Sequence, residues 1–204
     1  MTDTLNTRID VVLICGGEWH DIDFARSELL NRLAEDERIR TRVFEHYDNA
    51  HAALRDADFL VTFTSNVVAS LETQQVLRTF VEQGRRWFAL HGTNSFARFL
   101  SPEGADYGSL LVDAPRWAPL MMETLGSQFI AHPPIGPYKV EVGQPDHPLV
   151  TDIEPFETTD ELYLLETHGD LEVLLYTEFE GEAPGFVEDK WPKQKHPILY
   201  LQTV

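Results

Sequence analysis

The sequence predicts an α/β protein built on a doubly wound, mostly parallel sheet. Over the first hundred residues, short apolar runs alternate with segments of helical periodicity, which is typical of βαβ units. Each run is continuously apolar instead of alternating, as expected for parallel strands buried on both faces. A chain of 204 residues suffices for one well-buried core and is short for two. We therefore expect a single domain over residues 1–204.

Four strands and three helices are predicted in this first part. The first strand, "IDVVLICGG" (9–17), ends in two glycines, and Asp21 or Asp23 can cap the helix that follows. Ser70 is the expected N-cap of the third helix, and Gly84 is its expected stop. The other predicted elements are strands at 41–47, 58–64 and 85–92 and a short helix at 49–57.

The pattern changes beyond residue 100. "SPEGADYG" (101–108) and "DAPRW" (113–117) are typical of loops, and "APLMMETLG" (118–126) predicts a short helix. Four strand-like segments then follow: "YKVEV" (138–142), "ELYLLE" (161–166), "EVLLYTEF" (172–179) and "HPILYLQTV" (196–204). We expect these strands to extend the same sheet, partly in antiparallel fashion.

The charge balance restricts the partners of the protein. Sixteen Lys and Arg against 34 Asp and Glu give a formal net charge of -18, which repels nucleic acid and anionic membranes. Cys15 is the only cysteine, so no internal disulfide forms, and neither a signal peptide nor a membrane span is evident. These features predict a cytoplasmic protein, do not identify a substrate, and leave open whether the protein forms a homo-oligomer.

Candidate site residues follow from the rule that ligands bind beyond the carboxyl ends of parallel strands. His91 ends the fourth apolar run, where such folds commonly carry a reactive group, although a satisfied core histidine is the alternative. Gly16 and Gly17 permit close approach to a ligand and would display Trp19 and His20. The rule selects three loops: "GGEWHD" (16–21), "TSN" (64–66) and "HGTNS" (91–95). Neither a dinucleotide fingerprint nor a P-loop is present, so nucleotide binding is not expected.

The remaining reactive side chains allow more than one interpretation. Cys15 lies within an apolar run, so a buried structural cysteine is favoured over a nucleophile. Asp160 and Glu161 stand side by side at the start of a predicted strand, where alternation lets only one of them face a given pocket; solvated turn residues are the alternative. The other histidines expected at the surface or at strand edges are His46, His51, His168 and His196.

Residue types alone suit either acid–base catalysis by a neutral imidazole or a divalent metal such as Zn²⁺. Spacing does not decide between them, because neither an H-x-x-x-H nor an H-E-x-x-H motif occurs.

Taken in order, "GGEWHD", "LHGTNSF", "LGSQFIAHPP" and "PDHPLVTDIEPFETTDELY" resemble the ThuA-like family of trehalose utilisation, over residues 9–204. The resemblance implies a flavodoxin-like fold of the class I glutamine amidotransferase type. Amidotransferases carry a cysteine nucleophile where this chain has His91, so glutamine hydrolysis is not expected. The family's motif positions correspond here to Gly16, Gly17, His20, His91, His132, His147, Asp160, Glu161 and Tyr163.

These positions supply the candidate site. The catalytic candidates are His91, His20, His132, Glu161 and Asp160, and the three histidines are also the candidate metal ligands. The substrate-binding candidates are Gly16, Gly17, Trp19, Asn94 and Tyr163. Trp19, Phe96 and Tyr163 are expected to offer apolar faces to a pyranose, and His147 to brace a turn.

The resemblance implies an enzyme of carbohydrate utilisation that acts on trehalose, a related disaccharide or a keto-sugar by acid–base chemistry. Two alternatives stay open: a non-catalytic sugar-binding or assembly module that partners a dehydrogenase, and a metal-dependent hydrolase. Family members usually continue beyond "YLQTV" into another strand, so we expect a C-terminally truncated chain.

Overall fold

The computed structural model describes residues 8–101 and 110–204. The chain divides into two compact units, which are treated one at a time. The first comprises Met1–Phe96 and Arg116–Leu125 with Val204, and the second comprises Ala97–Pro115 and Gly126–Thr203. The single-domain organisation stays a prediction, and most of the loop expected at 101–108 lies outside the described residues.

The first unit is a parallel four-stranded sheet with helical crossovers. Its strand order is β2-β1-β3-β4, so the chain starts in the middle of the sheet and winds outward in both directions. Its elements are β1 (Ile9–Gly17), α1 (Ile22–Leu33), β2 (Ile39–Phe44), α2 (Tyr47–Leu54), β3 (Phe59–Ser65), α3 (Leu71–Glu82), β4 (Arg86–Leu90), a 3₁₀ turn (His91–Asn94) and α4 (Pro119–Leu125). The predicted doubly wound α/β class is confirmed.

Helices cover both faces of this sheet. Leu13 and Cys15 pack in a cluster with residues of α1, whereas Val12 and Ile14 pack in a second cluster with residues of α2, α3 and α4. Both faces of β1 are thus buried, which explains its continuously apolar sequence.

The predicted helix boundaries agree with the observed caps. The Asp21 side chain accepts a hydrogen bond from the Phe24 N–H at 2.9 Å, so Asp21 and not Asp23 caps α1. Ser70 Oγ accepts from the Thr73 N–H at 3.3 Å at the start of α3. Gly84, with φ +81°, follows the end of that helix.

The second unit consists of antiparallel sheets. Its strands are β5 (Arg98–Leu100), β6 (Leu111–Asp113), β7 (Ser127–Ala131), β8 (Gly136–Val142), β9 (Phe156–Asp160), β10 (Leu164–Thr167), β11 (Glu172–Glu182) and β12 (Lys190–Leu201). They pair as β5-β6, β7-β10 and β12-β11-β8-β9.

The expectation that the later strands extend the parallel sheet was wrong for the described residues, because these strands pair with one another. The link between the two longest strands shows why. Only residues 183–189 join β11 to β12, which pair directly. A parallel crossover requires a dozen residues or more, whereas antiparallel neighbours tolerate such short links.

No helix in the described ranges is long and apolar enough to cross a membrane.

Candidate functional site

Backbone strain in the first unit is concentrated in the three loops at the carboxyl edge of its sheet. Within residues 8–101 and 110–204, only three residues other than glycine have a positive φ: Trp19 (66°), Asn66 (60°) and His91 (42°). They follow β1, β3 and β4, respectively. Each such conformation costs on the order of 1–3 kcal/mol and persists only where the surroundings fix it, which is common at functional sites.

The two glycines that end β1 are required by packing. A Cβ atom on Gly16 would collide with the backbone carbonyl of Glu45, and one on Gly17 with that of Ser65. Gly17 also has φ +114°, a conformation that side chains disfavour. These contacts place the first loop tightly against its neighbours, and ligand binding by the two glycines stays a prediction.

His20 and His91 form a pair of imidazoles at this edge. Their ring centroids are 4.6 Å apart and their planes are inclined at 69°, an edge-to-face arrangement. Phe63 of β3 lies beside both rings, nearly parallel to His91 at 6.0 Å and edge-on to His20 at 6.1 Å. Both histidines are half-buried. The pair is thus held by an apolar ring and remains accessible to a ligand.

Two adjacent imidazoles can supply both partners of a proton transfer. A histidine accepts or releases a proton near neutral pH, and each neutral ring carries one donor and one acceptor nitrogen. The edge-to-face contact brings two such rings to one ligand position. The arrangement therefore suits acid–base chemistry on a small molecule.

The aromatic candidates differ in their exposure. Trp19 is 52% exposed and directly precedes His20, so its indole is available to a ligand. Phe96 is wholly buried in the hydrophobic cluster of the first unit, and its ring centroid lies 6.2 Å from that of Trp117. The expectation that Phe96 offers a face to a sugar was therefore wrong. Asn94 lies in the 3₁₀ turn and is buried.

In the second unit, His132 is held in a defined orientation. Its Nδ1 lies 2.8 Å from the carbonyl oxygen of Pro133, which can only accept, so Nδ1 carries the hydrogen. Nε2 is then the nitrogen that takes up or releases a proton. The ring packs edge-on to Phe186, with 4.9 Å between centroids, and 6.2 Å from Phe129.

Glu161 is the carboxylate that faces His132. Its Oε1 lies 3.8 Å from His132 Nε2. Asp160 instead turns back on the chain, where its Oδ1 accepts a hydrogen bond from the Glu161 N–H at 2.8 Å. Tyr163 stacks obliquely on Phe129 at 4.4 Å. The second unit thus contains a candidate proton-transfer pair, His132 and Glu161.

The structure corrects the local setting of the two carboxylates. Asp160 ends β9, and the next strand begins only at Leu164, so neither residue starts a strand. The chain leaves the β8–β9 ladder at the Gly136–Asp160 pair before it joins β7. Burial, and to a smaller extent the Asp160 carboxylate, raises the pKa of Tyr138.

Cys15 is a structural residue. Its thiol is buried and lies 3.5 Å from the carbonyl oxygen of Ile22. Burial raises the pKa of Cys15, and the guanidinium of Arg26 offsets only part of that effect. A thiol in this state is a poor nucleophile, as expected from its apolar context.

His147 braces a turn, as predicted. Its Nδ1 accepts a hydrogen bond from the Leu149 N–H at 3.2 Å, and its carbonyl oxygen accepts from the Val150 N–H.

Three of the other four histidines lie at or near the surface, as expected. His46 is exposed before α2, His51 Nδ1 is 3.8 Å from a Glu72 carboxylate oxygen, and His168 is half-buried. The expectation was wrong for His196, which is 1% exposed. His196 is the one buried residue of β12 and packs near Phe179 and Trp191, whereas its neighbours Lys193 and Lys195 are exposed.

Comparison with known proteins identifies the family. The sequence model of the ThuA family, described as "Trehalose utilisation", matches residues 11–204. The chain belongs to the ThuA family. No curated protein matches it.

Two crystal structures share the ThuA fold of this chain. A ThuA-like protein from Bacteroides uniformis is 15% identical, with a TM-score of 0.69, over 98% of this chain and 80% of that one. A ThuA-like protein from Parabacteroides merdae is 16% identical, with a TM-score of 0.57, over 91% of this chain and 74% of that one. At these identities the comparison shows the fold alone.

For this ThuA-family chain, sequence reasoning selected His20 and His91, and the structure places them in contact. It missed Phe63, although alternation along β3 puts that side chain on the same face as Val61. It also missed the role of Pro133, whose carbonyl fixes the His132 tautomer. The grouping of His132 with His20 and His91 stays a prediction.

Proposed function

We propose that this ThuA-family protein is an acid–base enzyme of carbohydrate utilisation that acts on a neutral sugar or keto-sugar derivative. In this proposal His91 and His20 exchange protons with the substrate. The observation that carries the proposal is the contact between these two half-buried imidazoles, 4.6 Å apart, at the carboxyl edge of a parallel sheet.

Proton transfer next to a keto group is the chemistry that suits this pair. One neutral imidazole takes the proton from the carbon beside the carbonyl, and the electron pair of that C–H bond moves towards the carbonyl oxygen. The other imidazole, protonated, donates its proton to the oxygen on which negative charge develops. Because neither ring is consumed, the pair returns to its starting state once protons exchange with water.

The surroundings favour an uncharged sugar. The net charge of -18 disfavours approach of a phosphorylated or carboxylated substrate. Trp19 presents a half-exposed indole beside His20, and such a face suits the apolar side of a pyranose ring. We therefore expect Trp19 to contribute mainly to substrate affinity.

The test is turnover of a 3-keto-glycoside by the purified protein and by His91→Gln and His20→Gln. Each variant is expected to lose about 10²–10⁴-fold in kcat, the usual contribution of a positioned acid or base. His46→Gln is the matched control, because His46 is an exposed histidine outside the pair. Undiminished turnover in His91→Gln would remove His91 from the mechanism.

The same protein and the same keto-glycoside distinguish this enzyme from a non-catalytic sugar-binding module. It would be stabilised thermally by the keto-glycoside while converting none of it. Binding together with the complete absence of product would therefore favour that alternative.

A metal-dependent hydrolase is the second candidate, favoured by the orientation of His132. Metal-binding histidines typically donate their second ring N–H to a backbone carbonyl or carboxylate, as His132 does to Pro133. His132 Nε2 would then be a ligand, and the Glu161 carboxylate, with its Oε1 3.8 Å from that nitrogen, would be a second one. Elemental analysis of the purified protein tests the metal site. About one metal ion per chain in the wild type, absent from His132→Gln, would support the site, and less than about 0.1 ion per chain in the wild type would contradict it.

A further inference from the structure

We infer that Thr93, through the buried hydroxyl groups it contacts, is a positioning residue for His91. The inference rests on the proposed function of His91 as an acid–base group, and it assigns the orientation of that ring to a polar cluster beneath the 3₁₀ turn. The cluster, called here the hydroxyl cluster, comprises Tyr47, Thr62, Thr64 and Thr93.

Thr93 ties the 3₁₀ turn to β3. Its Oγ1 lies 3.1 Å from the carbonyl oxygen of Thr62 and 3.1 Å from Thr62 Oγ1. Thr62 Oγ1 also accepts a hydrogen bond from the Trp87 indole N–H at 2.9 Å. The turn, β3 and β4 are therefore joined by side-chain hydrogen bonds at one point.

Tyr47 extends the cluster to α2. Its hydroxyl lies 2.7 Å from Thr64 Oγ1, and it also interacts with Thr62 and Thr93. All four members of the cluster are at most 2% exposed. Burial raises the pKa of Tyr47, so its phenol stays neutral and keeps its hydrogen.

The cluster lies where His91 needs support. His91 has φ 42°, and the residues on both sides of it are held against β3. Leu90 pairs with Phe63 of that strand, and the backbone of Gly92 packs closely against Thr64. A Cβ atom on Gly92 would lie 2.6 Å from the Thr64 carbonyl oxygen. Thr93 then fastens the turn to Thr62. His91 thus spans two anchored positions, and a strained residue of this kind keeps its conformation only while both anchors hold.

Loss of one anchor would move the imidazole. Without the Thr93 hydroxyl, the turn could relax His91 towards negative φ and shift its ring from its place beside Phe63 and His20. A displacement of about 1 Å can lower turnover by about 10²-fold without contact between the mutated residue and the substrate.

The experiment compares Thr93→Val, which keeps the shape but removes the hydroxyl, with Thr93→Ser, which restores it. Thr124→Val is the matched control, because Thr124 is also buried in the first unit and its Oγ1 donates to the Leu120 carbonyl at 2.7 Å, within α4. The first readout is the NMR resonances of the His20 and His91 rings, assigned with His91→Gln. The second is kcat and KM for a 3-keto-glycoside.

The inference predicts that Thr93→Val shifts both ring resonances and lowers kcat by at least about tenfold, with KM nearly unchanged. Thr93→Ser should recover most of both effects, and Thr124→Val should show neither. If Thr93→Val does not fold, Tyr47→Phe takes its place, with the same shifts expected at smaller amplitude.

Ring resonances that stay at their wild-type positions in Thr93→Val, or in Tyr47→Phe where that variant replaces it, would overturn the inference. So would equal shifts in Thr124→Val, because any loss of a buried hydroxyl would then have the same effect. Shifted resonances in a protein that turns over no keto-glycoside would instead contradict the proposed function and leave the positioning intact.

Discussion

Acidification is expected to destabilise the second unit through His196. This ring is 1% exposed and packs near Phe179 and Trp191, with centroid distances of 6.3 and 5.7 Å. Its Nε2 is buried and has no hydrogen-bond partner among the described residues. Burial lowers the pKa of His196 to about 4, because a charged imidazole would lose its hydration there.

The loss of stability on acidification can be calculated from the lowered pKa of His196. The pKa of His196 is 6.5 in the unfolded chain and about 4 in the folded one. Between these pH values the unfolded chain binds a proton that the folded chain does not, so the free energy of unfolding decreases as the pH falls. The stabilisation by neutral His196 is complete above pH 6.5 and is lost by about pH 4. Between pH 7.5 and 4.5 the loss amounts to about 2.5 kcal/mol.

Urea unfolding at these two pH values measures the loss. His196→Gln keeps a polar side chain that does not titrate, so its free energy of unfolding should fall by about 2.5 kcal/mol less than that of the wild type. The carboxylates titrate in both proteins and cancel in this difference. His46→Gln, at an exposed position, should behave as the wild type does. Equal falls in the wild type and His196→Gln would refute the reasoning.

Two further predictions concern the first unit. Gly92→Ala should lower the free energy of unfolding by about 1–3 kcal/mol, because the new methyl group would lie 2.6 Å from the Thr64 carbonyl oxygen; an unchanged melting temperature would contradict that close approach. Iodoacetamide should label Cys15 only after unfolding, since the thiol is buried and its pKa is raised; mass spectrometry that finds rapid labelling of the native protein would contradict the structural assignment.

The first unit could be predicted closely from the sequence because its signals are local. The central strands β1 and β3 are short, mostly apolar runs, and side chains such as Asp21 and Ser70 mark helix starts by their own hydrogen bonds. The second unit could not be predicted to the same extent. An apolar run indicates a strand but not its partner, and only the short link at 183–189 indicates an antiparallel pair, β11 with β12.

The site was predictable where topology determines it. The loops after β1 and β4 carry His20 and His91, and the carboxyl-edge rule predicts that they approach each other. The orientation of side chains was not predictable. His196 was expected at the surface or at a strand edge, but its ring packs near Phe179 and Trp191 and is 1% exposed. The hydroxyl cluster depends on contacts between residues more than 15 positions apart in sequence, such as Tyr47 and Thr64.

Deuterium exchange tests the central claim most directly. The protein is incubated in D₂O with a 3-keto-glycoside, and NMR follows the proton on the carbon beside the keto group. We predict exchange well above the spontaneous rate with the wild-type protein, and a loss of about 10²-fold or more in His91→Gln. Exchange at the spontaneous rate with the wild type, or equally fast exchange in His91→Gln, would contradict the claim that His91 transfers a proton.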